Sequence, residues 1–349
     1  METLFFVSTQ QHMNDEGMKQ AGTILKEGGL VAFPTETVYG LGGDALNPGS
    51  SQKIYSAKGR PSDNPLIVHI ADMEALPKVA AKIPEAAVKL AAKFWPGPLT
   101  MIFEKTDAVP YETTGGLETV AVRMPSHEVA LRLIREGGGY IAAPSANTSG
   151  KPSPTTAADV AEDMDGKIDC IIDGGAVGIG IESTIIDLTV TPPQILRPGF
   201  ITQAMLSEVL GEVDSDRTMY QADTGTAPRA PGMKYRHYAP KGSLAIVDGD
   251  RERVVDYINR AICKAQAEGK KCGVIATEET KDLYCADVVL SAGTREDEES
   301  IARHLYGCLR EFDRQNAEIL FSESFEAPGL LQAVMNRLLK AAGHQIIKA

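Results

Sequence analysis

Strand-length apolar runs alternate with helix-length segments along most of this chain, and that alternation predicts an α/β fold. In the first 210 residues, buried strands are predicted at 29–34, 66–70, 119–123 and 140–143, and shorter strands at 168–173, 183–188 and 194–196. Helices are predicted between these strands at 15–27, 85–94 and 128–136. Ser126 is the predicted N-cap of the third helix. The order of the strands in the sheet does not follow from the sequence.

A polar stretch without clear periodicity, from Val213 to Arg229, divides the chain. We therefore predict a first domain over 1–210, a linker over 211–242 and a second domain over 243–349. In the second domain, strands and helices are predicted alternately at 243–247, 251–266, 272–276, 287–290, 297–314 and 330–342. This alternation predicts a small parallel α/β layer. The linker ends in 231–240, where three rings and two cations stand between prolines.

Composition excludes several classes of protein. The net charge is −12, which excludes a general polyanion binder but leaves room for a local basic pocket. The apolar run Leu4 to Val7 is too short for a signal peptide or a membrane span, and from this we predict a cytoplasmic protein with no membrane contact. The five cysteines form no C-x-x-C pair, so neither a zinc module nor a disulfide framework is predicted.

The first candidate functional segment follows the strand at 29–34. From Pro34 to Gly42 the chain places two hydroxyls, a carboxylate and a phenol after a proline turn. Hydroxyls at a strand end can hold a substrate carboxylate or amine, and they also suit a capping turn. This segment alone supports the two interpretations about equally.

A cationic segment, Ser56 to Pro65, carries Lys58 and Arg60 on either side of one glycine. In an extended segment both side chains point to the same side, where they suit a triphosphate. A solvated surface pair is the commoner role of such cations. In an acidic protein we interpret the pair as a candidate anion pocket.

Two further segments combine glycine with small polar residues. Pro144 to Thr155 follows an apolar strand, and its hydroxyls, amide and glycine let a backbone approach phosphates closely. Gly178 to Ile185, followed by Leu196 to Gly199, lacks the G-x-G-x-x-G order, and glycine turns explain it slightly better. The chain contains no P-loop motif, so a bound ATP would use another design. No histidine has metal-ligand spacing, and no metal site is predicted.

These motifs, in this order, resemble those of the L-threonylcarbamoyladenylate synthases. Pro34 to Gly42, the K-x-R pair Lys58/Arg60 and the S-x-N pair Ser145/Asn147 are similar to the motifs of the YrdC-type domain. The chain from 231 onward is similar to the longer, two-domain form, so the resemblance covers essentially the whole chain. It implies a YrdC-like catalytic domain with a twisted mixed sheet over 1–210. A linker or lid over the active site (211–242) and a smaller Rossmann-like α/β domain (243–349) would follow.

The resemblance implies a nucleotidyltransferase that joins L-threonine, bicarbonate and ATP into L-threonylcarbamoyladenylate and releases pyrophosphate, with Mg²⁺ accompanying the ATP. A separate transferase complex would move the threonylcarbamoyl group to adenosine 37 of tRNA (t6A). Lys58 and Arg60 are the expected catalytic residues. The expected threonine contacts are Thr37, His69, Arg123, Ala143 and Ser183. The expected ATP contacts are Lys58, Arg60, Asn64, Thr119, Ser145, Asn147, Ser153, Arg197, Tyr235 and His237.

Three alternatives remain open at this stage. The cationic loop slightly favours a double-stranded RNA-binding module without adenylating activity, whereas the net charge of −12 disfavours it. A carbamoyl-transfer enzyme of hydrogenase maturation carries a related domain but also zinc-binding cysteine pairs, which this chain lacks. The second domain could also serve as a regulatory or docking unit, independently of catalysis.

Overall fold

The computed structural model describes residues 2–216, 230, 237–325 and 328–349. The chain divides into two compact units. The first comprises Met1–Ser149, Ser153–Gly178 and Glu182–Tyr235, and the second comprises Gly150–Pro152, Ile179–Ile181 and Arg236–Ala349. Most of the predicted linker lies outside the described residues, so the predicted domain boundaries stay predictions.

The first unit is built on a mixed sheet of eleven strands, counted over the described residues. The strands are β1 (Leu4–Val7), β2 (Val31–Phe33), β3 (Gly40–Asp44), β4 (Ile67–His69), β5 (Leu99–Glu104), β6 (Thr119–Arg123), β7 (Ile141–Ala143), β8 (Cys170–Asp173), β9 (Thr184–Asp187), β10 (Gln194–Arg197) and β11 (Asp214–Ser215). Their order is β1-β8-β2-β3-β7-β4-β6-β5-β9-β10-β11. Non-sequential neighbours therefore bring distant segments of the chain side by side.

The helices of the first unit are α1 (Asp15–Lys26), α2 (Pro48–Lys58), α3 (Leu76–Val79), α4 (Glu85–Phe94), α5 (Tyr111–Thr114), α6 (Glu128–Glu136), α7 (Ala157–Met164) and α8 (Gln203–Leu210). Helix α2 begins after Asn47, whose side chain accepts from Gly49 N, and Pro48 occupies the first turn. It ends at Gly59, whose left-handed φ of 61° suits glycine. The predicted helix at 128–136 is confirmed, but His127 rather than Ser126 precedes it as the cap.

The two faces of the large sheet have different roles. One face carries the main apolar core, with Val68, Met101 and Val122 among its fully buried members. The opposite face carries two smaller apolar clusters, of which one contains Ile67, Ala121 and residues of β5, β9 and β10. Because paired residues in a ladder point to the same face, the register of the strands decides which polar side chains surround that small cluster.

The second unit contains a five-stranded sheet in which every pairing between the described strands is parallel. Its strands are β12 (Ser243–Asp248), β13 (Cys272–Ala276), β14 (Val288–Ser291), β15 (Ile319–Glu323) and β16 (Ile346–Lys348), in the order β14-β13-β15-β12-β16. Its helices are α9 (Arg251–Ala267), α10 (Glu298–Arg314) and α11 (Leu330–Ala341). The predicted parallel α/β layer is therefore confirmed.

The helices of this unit cover both faces of its sheet. Ile258 and Ile262 of α9 pack with Val274 on one face. Phe312 of α10 approaches Gly273 so closely that a Cβ on that glycine would lie 2.6 Å from the ring. Because Gly273 and Val274 are adjacent in β13, they point to opposite faces, and α9 and α10 lie on opposite sides of the sheet.

Among the described residues, no helix combines the length and the apolarity needed to cross a membrane.

Candidate active site

The site begins with two polar residues that face each other across neighbouring strands. His69 of β4 and Arg123 of β6 are directly paired in a parallel ladder. Arg123 is also paired with Thr100 of β5 on its other side. These three residues therefore lie on one face of the sheet, the face that carries Ile67 and Ala121 in the small apolar cluster.

Arg123 lies at the centre of a buried polar group and is 4% exposed. Its Nη1 donates a 2.9 Å hydrogen bond to Thr37 Oγ1, and its Nη2 lies 2.7 Å from Glu36 Oε1. The buried Nε of Arg123 has no hydrogen-bond acceptor among the described residues. A buried guanidinium nitrogen without an acceptor costs free energy, so this edge suits a ligand carboxylate.

A short polar turn positions Thr37 after strand β2. Thr35 Oγ1 lies 2.9 Å from Thr37 Oγ1 and donates a 2.6 Å hydrogen bond to the carbonyl of Val38. Both threonines are buried. Thr35 Oγ1 also accepts from the backbone N–H groups of Thr37 and Val38, at 3.1 and 3.3 Å, so Thr35 caps this turn, whereas the Thr37 hydroxyl is turned toward Arg123. Glu36, in the same turn, was not among the residues proposed from the sequence. Its acidic character in a Thr-Glu-Thr turn was the available signal.

His69 is neutral in this environment. Burial, together with the charge of Arg123, lowers the pKa of His69 from 6.5 to about 3. Its Nδ1 lies 3.1 Å from the carbonyl oxygen of Ile67, and the ring of Phe33 packs edge-on at 6.1 Å. Since the imidazole does not take up a proton near pH 7, it can orient a ligand without adding charge.

The other two predicted threonine contacts lie beside this group. Ala143 of β7 is paired with Ile67 of β4, two residues before His69 and on the same face. Ser183 Oγ lies 2.8 Å from Thr100 Oγ1, and Thr100 is the residue paired with Arg123. The structure thus brings all five residues of the predicted threonine set to one region of one face. Whether they bind threonine stays a prediction.

The expectation that Lys58 and Arg60 lie in an extended segment is wrong. Lys58 is the last residue of α2, and Gly59 turns the chain before Arg60. Lys58 is only 1% exposed, and its Nζ donates to the carbonyls of Ser145, at 2.6 Å, and Asn147. The lysine of the K-x-R pair therefore contacts the backbone of the S-x-N pair directly.

The remaining polar contacts of this region link the S-x-N loop and the K-x-R segment to their surroundings. Ser145 Oγ lies 2.5 Å from Asn147 Oδ1. Arg60 Nη2 donates to the carbonyls of Asn64 and Pro65 at 3.3 and 3.2 Å. The side-chain amide of Asn64 is buried, and neither its oxygen nor its nitrogen has a partner among the described residues. A buried amide needs hydrogen-bond partners, and a bound ligand or ordered water would supply them here.

Arg197 connects the two predicted residue sets. Its Nε donates to the carbonyl of Ser183 at 3.0 Å, and its Nη2 donates to Ser183 Oγ at 3.2 Å.

Ser153 and Thr119 are the two remaining predicted ATP contacts of the first unit. Ser153 is fully buried and donates to Glu182 Oε1 at 2.6 Å. Thr119 is half-buried at the start of β6, four residues before Arg123 and on the same face.

The linker residues give a partial picture. Tyr235 lies outside the described residues. His237 is buried within the second unit, where its ring lies 5.5 Å from that of Tyr238. Ala230 is fully buried in the small apolar cluster, on the sheet face that carries Arg123.

Over the described part of the chain, no group of three or more His, Cys, Asp or Glu residues could hold a metal ion.

Comparisons with known proteins agree with this fold. Residues 23–199 match the Sua5/YciO/YrdC family, described as telomere recombination. The first unit is therefore a YrdC-type α/β domain. Residues 201–343 match a second family, described as the threonylcarbamoyl-AMP synthase C-terminal domain.

Whole-length relatives extend the match to both domains. A threonylcarbamoyl-AMP synthase of Pyrococcus abyssi is 50% identical over 98% of each chain, and one of Bacillus subtilis is 49% identical over 98% of this chain and 97% of the relative. The crystal structure of P. abyssi Sua5 complexed with L-threonine is 50% identical, with a TM-score of 0.94 over 99% of this chain and 100% of that one. The chain belongs to the two-domain threonylcarbamoyl-AMP synthase family, and the resemblance stated from the motifs is confirmed.

Proposed function

We propose that this protein joins L-threonine, bicarbonate and ATP into L-threonylcarbamoyladenylate and releases pyrophosphate. The observation that carries the proposal is the whole-length match, at 50% identity, to a relative named for this activity. A similar fold was solved with L-threonine bound. The geometry of the first unit supports the same chemistry, as follows.

Threonine binds at Arg123. The free Nε edge of the guanidinium takes the threonine carboxylate, and neutral His69, Thr37 and Ser183 contribute polar contacts around it. Ala143 offers the apolar contact for the threonine methyl. A methyl is worth only about 1–3 kcal/mol in such a pocket, so discrimination against serine is modest.

The reaction then proceeds in two steps. The neutral amine of threonine attacks bicarbonate, water leaves, and a carbamate forms. A carbamate oxygen attacks the α-phosphate of ATP, the bond to the β-phosphate oxygen breaks, and pyrophosphate leaves. Carbamate and triphosphate are both anionic, so Lys58, Arg60 and Arg197 lower the barrier by offsetting their repulsion. No covalent enzyme intermediate is needed, since orientation and charge account for the acceleration.

Asn64, Thr119, Ser145, Asn147 and Ser153 complete the proposed ATP contacts. The buried, unpartnered amide of Asn64 is the strongest structural support among them. Mg²⁺ enters with the nucleotide as part of the substrate, held by phosphate oxygens and water.

The linker acts as a lid over the carbamate, which is short-lived in water. Ala230, buried on the site face, supports a path of the linker across the site. Tyr235 and His237 are the proposed nucleotide contacts from this segment. The product serves a separate complex that threonylcarbamoylates adenosine 37 of tRNA.

The RNA-binding alternative gains no support from the geometry. It drew on a cationic loop, and Lys58 of that loop is 1% exposed and bonded to two carbonyls. A buried ammonium contributes little to binding along a nucleic acid backbone, which depends on accessible cations.

The test is pyrophosphate release by the purified protein with MgATP, with and without L-threonine plus bicarbonate. Release that needs both additions is the expected result. The proposal is overturned if protein shown to bind ATP releases no threonine-dependent pyrophosphate. Trapping an adenylyl or carbamoyl group on the protein would refute the non-covalent route while leaving the overall reaction intact.

A further inference from the structure

The carboxylate of Glu36 has no role in the proposed threonine contacts, although it adjoins Arg123. Glu36 belongs to the polar turn after β2, between Thr35 and Thr37, and its side chain is 13% exposed. Both carboxylate oxygens are buried, and neither accepts a hydrogen bond from any described residue. Burying a charged group without hydrogen-bond donors costs free energy. The fold therefore leaves this carboxylate with unused capacity to accept hydrogen bonds.

The ion pair with Arg123 does not satisfy either partner. Nη2 of Arg123 lies 2.7 Å from Oε1 of Glu36, but the two are not aligned for a hydrogen bond, and among the described residues both atoms lack one. Nε of Arg123 lacks one as well, while Nη1 donates to Thr37. The pair thus presents two unused donor atoms of the guanidinium beside two unused acceptor atoms of the carboxylate.

A carboxylate of the second unit shows that a buried ion pair in this chain can be fully bonded. Glu323 is 2% exposed, and its two oxygens accept hydrogen bonds from Arg295 at 2.6 Å, from Tyr284 at 2.8 Å and from Thr280. An ion pair that only stabilises the fold is expected to have its oxygens satisfied in this way. The contrast between Glu323 and Glu36 points to a ligand that supplies the missing donors at Glu36.

The charges around Glu36 indicate what kind of ligand fits. Arg123 supplies one positive charge, and the neighbouring His69 and His127 are neutral near pH 7, because burial lowers the pKa of both rings. His127 is 8% exposed, and its Nδ1 is also buried without a partner among the described residues. One cation and one anion in contact form a site without net charge, which matches a ligand that carries one charge of each sign.

A bound threonine meets these requirements with its two charged groups. In the proposed function its carboxylate lies on Nε of Arg123, and its ammonium is attached to the carbon atom next to that carboxylate. The ammonium is therefore close to the group that adjoins the guanidinium, which is the carboxylate of Glu36. An ammonium has three N–H donors and no acceptor, so it supplies what the two oxygens of Glu36 lack.

We propose that Glu36 binds the amine of threonine, so that the pair of Arg123 and Glu36 recognises a zwitterion. This inference rests on the proposed function and adds to it the group that holds the reacting nitrogen. Arg123 alone would accept any small carboxylate, whereas the pair selects α-amino acids over hydroxy acids of the same length. Glu36 also fixes the position of the nitrogen on which the carbamate forms.

The test compares L-threonine with (R)-3-hydroxybutyrate, which has the same carbon chain, hydroxyl and carboxylate but no amine. Binding of each to the full chain is measured by NMR titration without ATP, so no turnover is needed. The wild type is expected to bind threonine at least about tenfold more tightly than 3-hydroxybutyrate. Glu36→Gln should weaken threonine binding by about tenfold or more and 3-hydroxybutyrate binding by less than about twofold, because only the charge-assisted contact to the amine is lost.

Two further variants separate recognition of the amine from loss of structure. Glu128→Gln makes the same change at an exposed carboxylate that follows His127 directly, and it should alter either affinity by less than about twofold. Glu36→Asp keeps the charge on a shorter side chain, and it should retain part of the preference for threonine. It serves as the test variant if Glu36→Gln does not fold.

Equal binding of the two ligands by the wild type would overturn the inference. A Glu36→Gln variant that keeps the full preference for threonine would do the same, and so would a folded variant that loses both ligands to the same degree, because Glu36 would then be structural. If threonine-dependent pyrophosphate release accompanied any of these results, the proposed function would stand and only the role of Glu36 would fall. No binding of threonine by the wild type would remove both.

Discussion

Nη2 of Arg123 lies 2.7 Å from Oε1 of Glu36, and both side chains are largely buried. An adjacent cation and carboxylate complement a bound amino acid, whose own carboxylate and ammonium are equally close together. We therefore expect Arg123→Gln to raise the KM for threonine about 10- to 100-fold while the KM for ATP stays within about twofold.

This substitution also leaves Glu36 buried without its partner, which costs about 3–5 kcal/mol of stability. The double variant Arg123→Gln/Glu36→Gln should recover much of the free energy of unfolding but none of the threonine affinity. Urea unfolding and threonine titration measure the two quantities separately. A double variant that binds threonine as well as the wild type would exclude Arg123 from the site.

Lys58 should be essential for turnover. Its ammonium bridges the carbonyls of Ser145 and Asn147, so Lys58→Met removes both a cation of the proposed ATP site and the contact that holds the S-x-N loop. We expect pyrophosphate formation to fall by about 100-fold or more.

Lys53→Met is the matched control, because Lys53 is also on α2 and donates to a backbone carbonyl, that of Gly28, at 2.6 Å. Its turnover should stay close to that of the wild type. If both variants lost activity equally, the loss would belong to helix α2 and not to the chemistry of Lys58.

His69 should make the first unit less stable in acid. Its pKa is lowered from 6.5 to about 3, so the unfolded chain takes up a proton at a higher pH than the folded protein does. The stabilisation is therefore fully present above pH 6.5 and is lost as the pH falls from 6.5 toward 3. Between pH 7 and pH 5 we expect His69 to account for a loss of about 2 kcal/mol.

Denaturant unfolding of the wild type and His69→Gln at both pH values measures this contribution. The variant should lose less stability on acidification, by about that amount. As a direct check, the His69 ring signals in the NMR spectrum should not titrate between pH 8 and pH 5. An ordinary titration near 6.5 would contradict the buried neutral state.

Two helical glycines should respond to alanine in opposite directions. A Cβ on Gly22 of α1 would lie 2.5 Å from Cβ of Glu136 and 2.7 Å from its backbone, so Gly22→Ala should destabilise the protein by about 1–3 kcal/mol. A Cβ on Gly307 of α10 would meet no heavy atom of a neighbouring segment within 4 Å, and Gly307→Ala should stabilise by up to about 1 kcal/mol. Thermal unfolding of both variants measures the difference. Equal effects would mean that α1 and α6 are less closely packed than they are here.

Much of the architecture could be predicted from periodicity, because buried strands and amphipathic helices leave strong patterns. The strand at 119–123 and the helices at 85–94 and 128–136 have the predicted bounds. Strand β3 was missed because Gly40–Asp44 is mostly glycine, a residue depleted in strands. The reason for the glycine is tertiary, since a Cβ on Gly42 would lie 2.8 Å from the side chain of Ile141.

The motifs that carry the candidate site are visible in the sequence, but their arrangement in space is not. Helix α2 was missed because its sequence begins Pro-Gly-Ser-Ser and has little amphipathic character, and this error misplaced Lys58. The pairing of His69 with Arg123 depends on strand order and register, which local patterns do not contain. Strands β5 and β15 have no prediction either, but there the cause is not tertiary, since their apolar runs are visible in the sequence.

Strand β6 carries a residue proposed for each substrate, Thr119 for the nucleotide and Arg123 for threonine. Four residue steps along a strand span roughly 13 Å. Strand β5 is paired with β6 over this whole length, and β4 is paired with its last three residues. The strand thus fixes the distance between the two proposed substrate contacts. An amino acid with one more methylene between its amine and its carboxylate would place its carbamate too far along this distance to meet the α-phosphate, however well it filled the pocket.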